Sequence, residues 1–92
     1  MNVYVLTHHR NTPEEDFAYV VGVYAEDHLS AAREEMRRLS QTMMEDLAFV
    51  GIDGWDPDMC RDEPDYIGFG KPGIGYDSST EYGWEIALME VI

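Results

Sequence analysis

The stretch LSAAREEMRRLSQTMMEDL, residues 29–47, decides the fold. Leu29, Ala32, Met36, Leu39, Met43 and Leu47 recur in it at intervals of three and four, which places them along one face of a helix. Asp27 stands where an N-cap is expected, Glu34 lies one turn before Arg38 on the outer side, and Gly51 follows the apolar end Phe49-Val50 as a natural stop. The helix is expected from about His28 to about Ala48. Its Met and Leu stripe reads as a packing face, because helical spacing is what covering a sheet requires.

The flanking segments supply that sheet. Val3 to Leu6 form a short β-branched and aromatic run, and Phe17 to Tyr24 form a second around Val20, Val21 and Val23, so both read as strands that pair as a hairpin. Between them His8 to Asp16 is polar and reads as a loop. Thr12 is positioned to cap a single helical turn there, with Pro13 first in it and Glu15 third. At the other end Trp84, Ile86 and Leu88 alternate with Glu85, Ala87 and Met89, the pattern of a half-buried strand.

Residues 51–83 are rich in Gly, Pro, Asp and Tyr and keep no period. A structureless segment of that length is unusual inside a compact domain, so it either hides a strand near Tyr66-Ile67-Gly68-Phe69 or serves as a functional loop. The expected architecture is α+β in a two-layer sandwich, ordered β-β-α, long insertion, β, with one long helix on a three- to four-stranded sheet. A lone helix covers only one face, yet Tyr4 and Leu6 alternate with Val3 and Val5 on the other. Either the insertion folds over that second face or a second copy of the chain does, which makes homodimerisation an expectation.

Val3-Tyr4-Val5-Leu6-Thr7-His8, Val21-Gly22-Val23-Tyr24 leading into a helix, and a closing Gly83-Trp84-Glu85-Ile86 together resemble a family of small uncharacterised bacterial and phage domains. The resemblance implies the strand-strand-helix-strand outline and no mechanism. The chain departs from that outline in its long acidic, Gly-rich insertion.

Charge narrows the function classes. Nineteen carboxylates against six basic side chains give a formal charge of -13, which repels nucleic acid and anionic lipid and attracts a basic protein surface. With 92 residues the chain has apolar surface for one core, and no apolar stretch approaches the ~20 residues that span a bilayer. Cys60 is the only cysteine, which excludes an internal disulfide and suits a reducing compartment, so a cytoplasmic location is expected.

The densest charge is Asp53, Asp56, Asp58, Asp62, Glu63 and Asp65, countered by Arg61 and interleaved with Trp55 and Tyr66. These eight acidic and aromatic residues form the candidate partner-binding surface, with carboxylates reproducing the charge of phosphates and the rings acting as anchors. The bland alternative is a solvated loop with its rings tucked into the core. In size and charge the chain is similar to phage-encoded inhibitors of the anti-CRISPR or anti-restriction type, an analogy of composition. A homodimeric structural or small-molecule-binding module is the alternative function.

Other constellations are weaker. A twelve-residue calcium loop starting at Asp53 would place Trp55, Pro57 and Pro64 at its third, fifth and twelfth positions, where carboxylates belong. His8 and His9 point to opposite faces of a strand, which works against a zinc site with His28 or Cys60. Residues 68–75 contain many glycines but no Gly-Lys-Ser/Thr, and Pro72 removes a donor, so a turn-rich connection is expected rather than a phosphate cradle. No catalytic group, metal or cofactor is assigned from the sequence.

Overall fold

Two ten-residue strands, β1 (Asn2–Asn11) and β2 (Asp16–Ala25), open the chain in the computed structural model, which describes residues 1–73 and 79–91. The helix α1 (Leu29–Phe49) follows, then a 3-10 turn (Pro57–Met59), β3 (Arg61–Glu63), β4 (Tyr66–Lys71) and β5 (Thr80–Glu90). The strands form one open antiparallel sheet in the order β2-β1-β5-β4-β3. The fold is α+β, with α1 packed on one face.

Register explains which face the helix covers. Leu6 stands opposite Ile86 and His8 opposite Trp84, while Ile67 and Phe69 stand opposite Trp84 and Tyr82. Paired residues share a face, so these side chains meet under α1. Ala32, Met36 and Ser40 of the helix are buried against them, with Leu29, Leu39, Met43 and Leu47 packed around. Burial of each large apolar side chain here contributes about 1.5–3 kcal/mol. The stripe read from the sequence is the packing face, and Ser40 joins it by donating its hydroxyl to the Arg37 carbonyl at 3.0 Å.

Several local details differ from expectation. The helix is capped by His28, with no side-chain cap bond, because the His28 amide closes a tight turn onto the Ala25 carbonyl at 2.9 Å. Asp27 is left one position too early. Arg38 pairs with Glu35 rather than Glu34. His8 to Asn11 are strand rather than loop, because they pair with β2 on one side and β5 on the other, and no helical turn follows: Thr12 and Glu15 exchange backbone hydrogen bonds around Pro13-Glu14, and the Thr12 hydroxyl accepts from the Glu14 and Glu15 amides. The C-terminus behaves as read. Gly51 takes φ 87°, and the Gly51 and Ile52 amides donate to the Ala48 and Leu47 carbonyls, the paired bonds of a left-handed helix stop.

Among the described residues the insertion widens the sheet, and it reaches the second face only at one corner, where Met59 lies over Gly70. Strand β4 falls where a hidden strand was expected and β5 begins at Thr80, so the sheet has five strands rather than three or four. The glycine-rich run is also strand: Gly68 to Lys71 belong to β4, while residues 74–75 lie outside the described residues. On the open face Val20 and Val23 remain 56% and 62% exposed.

His8 gives the core a pH dependence. It is buried, stacked on Trp84 at 4.4 Å between ring centroids, with Phe17 and Tyr19 set edge-on to it. Its Nδ1 donates to the Gly83 carbonyl at 2.9 Å, and Nε2 has no partner among the described residues. Burial holds the imidazole below its ordinary value of 6.5, with the bond to Gly83 opposing and Arg10 and His9 adding to the shift. The unfolded chain therefore takes up the proton first as pH falls, so His8's contribution is full above about pH 6.5 and is lost through the folded-state value below it. Urea unfolding across that window should show stability declining with acidity. His8→Phe should lack this component, and an unchanged slope in that variant would show that the dependence lies elsewhere.

Candidate functional site

The acidic segment is anchored at its start. Gly54 takes φ 75°, which turns Trp55 inward onto Phe69 and Tyr82, edge to face at 4.6 and 5.8 Å between centroids. Lys71 closes the turn by donating from Nζ to the Asp53 carbonyl at 3.2 Å, and its ammonium lies 5.4 Å from the Trp55 ring centroid. The Asp56 amide then donates to the Gly70 carbonyl at 2.8 Å, which fastens the chain to the β4 edge beyond β3. The Asp56 carboxylate accepts from the Asp58 amide at 2.9 Å and so caps the 3-10 turn.

The carboxylates divide into two groups. Asp62, Glu63 and Asp65 are held by Arg37, Arg61 and Arg33 at 3.0, 2.6 and 2.8 Å. Arg33 and Arg37 are one helical turn apart on α1, so two of these pairs tie the β3–β4 hairpin to the helix. Asp53, Asp56 and Asp58 make no ion pair among the described residues. They form the free acidic rim.

Tyr66 lies on the open face. Arg61 stacks over its ring at 4.2 Å, and its hydroxyl is 3.2 Å from His9 Nε2. Burial raises the phenol above its ordinary value, with Glu85, Glu81 and Glu63 adding to the shift and Arg61 opposing it. The His9 and Tyr66 rings lie over Gly83 and Gly68, where any side chain would collide with them. Beside the rings opens a cleft of about 290 Å³, bordered by His9, Asp58, Met59, Arg61, Tyr66 and Glu81.

The structure thus separates the eight candidate residues. Trp55 supports the segment from the core side, Asp62, Glu63 and Asp65 brace the hairpin, Tyr66 and Asp58 border the cleft, and Asp53 and Asp56 lie on the free rim. Sequence reading missed the part of Glu81 and of His9, which it considered only as a metal ligand. The signal was the glycines of adjoining strands, 68 and 83, which leave room for rings on one face. His8 points into the core and His9 to the opposite face, which removes the shared zinc site. Among the described residues no group of three or more His, Cys, Asp or Glu could hold a metal ion, and no helix is long and apolar enough to cross a membrane.

Comparison with protein-family models, with curated proteins and with solved structures finds no match to this chain.

Proposed function

We propose that the chain is an acidic protein-interaction module that occupies a basic, nucleic-acid-binding surface of a cytoplasmic partner. It acts by binding rather than by catalysis, in the manner of a phage-encoded inhibitor of the anti-CRISPR or anti-restriction type. One observation carries this reading: the basic side chains are consumed internally. Arg10, Arg33, Arg37, Arg38 and Arg61 each pair with a carboxylate of the same chain, and Lys71 is turned back onto Asp53 and Trp55. Among the described residues most carboxylates are left without a cationic partner. The rim of Asp53, Asp56 and Asp58, held in shape by Trp55 and the Gly70 bond, presents several of them on a fixed turn.

A pre-shaped acidic surface loses less ordering entropy on binding than a floppy one, which favours affinity at the same charge. The test is capture from a host lysate on the immobilised protein, followed by competition with duplex DNA or RNA. Retention of a basic nucleic-acid-handling protein that either polymer displaces supports the reading. Retention that neither polymer disturbs, or no retention, counts against it.

A further inference from the structure

The two edges of the sheet are built in opposite ways. Strand β3, at one edge, has three residues, Arg61, Asp62 and Glu63, all charged, and Pro64 follows. Shortness, charge and proline are the devices that stop an edge from pairing with another chain. Strand β2, at the other edge, has ten residues, and Phe17 to Ala25 carry no charge. Phe17 and Tyr19 stack on each other on the helix side at 5.8 Å between centroids, 38% and 51% exposed, while Val20 stands out on the open side. Among the described residues the β2 edge has two protective features, the exposed Asp16 at its first position and the bulge at Val21, where the register with β1 shifts between Leu6 and Thr7. Both leave the stretch from Phe17 to Val20 regular.

We infer that the β2 edge is a self-association surface, on which Phe17 to Val20 pairs antiparallel with the same stretch of a second copy about a two-fold axis. The charge distribution selects the occupant. A basic partner is drawn to the carboxylates and gains nothing electrostatic at an uncharged strand. Two copies each carrying -13 approach most easily where neither presents a charge, and a two-fold brings this stretch against itself. The dimer continues the sheet from one chain into the next, satisfies the outward backbone groups of both edges, and brings the ring pairs of the two copies together on one face.

The experiment is sedimentation equilibrium of the full chain at about 50 and about 500 mM salt, compared with Ala18→Asp/Val20→Asp and with Ala31→Glu/Thr42→Glu. All four positions are exposed, and both variants add the same charge. The wild type should approach twice the 10.6 kDa chain mass as concentration rises, and more readily at high salt, because salt screens the repulsion between copies. The β2 variant, with its fold confirmed by circular dichroism, should associate at least about tenfold more weakly. The helix variant should stay close to wild type. A wild type that remains monomeric in both salts overturns the inference, as does equal weakening by the two variants. Salt strengthens this association and weakens that with a basic partner, so each reading fails on its own outcome.

Discussion

Replacing Trp84 with alanine is expected to cost about 3–5 kcal/mol, the range for deleting a large buried aromatic side chain. Trp84 is 2% exposed and occupies the centre of the covered face, stacked on His8 and tilted against Phe69. The strands on both sides limit how far neighbours can collapse into the space. Domains of this size are stable by about 5–15 kcal/mol, so the variant should lose a large share of its stability and unfold at a much lower urea midpoint. Trp55→Ala, at the half-buried edge of the same ring cluster, should cost less. A larger loss at Trp55 than at Trp84 would contradict the placement of the core.

The second large effect is on binding. Reversing Asp53 and Asp58 to lysine should weaken association with a basic partner by about 100-fold, because two attractive charges become repulsive ones. Neither carboxylate makes an ion pair among the described residues, so stability should change by less than about 0.5 kcal/mol. Asp56 and Asp62 are poorer choices for this purpose. The first caps the 3-10 turn and the second holds Arg37, so loss of binding in either variant would mix charge with local structure. Binding that survives the Asp53/Asp58 reversal in a folded protein would exclude the rim as the contact surface.

How far these features were legible depends on what each part of the chain has to bury. The helix was readable because a single stripe of it packs on the sheet, and β2, β5 and the first half of β1 were readable from β-branched and aromatic runs, whereas His8 to Asn11, polar enough to read as loop, continue β1. The second half resisted for a physical reason. Strand β3 buries no side chain and is held by backbone pairing and arginines, so its composition is that of a loop. In β4 and at the start of β5, glycines occupy open-face positions because the His9 and Tyr66 rings lie over two of them, and that erases the alternation by which strands are recognised.

The candidate site was legible as a composition and not as a geometry. The run from Asp53 to Tyr66 is visibly acidic, but nothing local indicates that Arg33 and Arg37, 32 and 25 residues from Asp65 and Asp62, would take those two carboxylates. Nor does the sequence distinguish Trp55 as a support from Trp55 as an exposed anchor. That distinction rests on the left-handed Gly54 and on Phe69 and Tyr82 coming together across β4 and β5.

The measurement that bears most directly on the central claim is the dissociation constant for the captured basic protein as a function of salt concentration. If uncompensated carboxylates on the rim drive the interaction, affinity should fall steeply from about 50 to about 500 mM salt, and Asp53→Lys/Asp58→Lys should flatten that dependence. An affinity that holds constant over this range would mean the contact is apolar, and the acidic surface would then have no part in recognition.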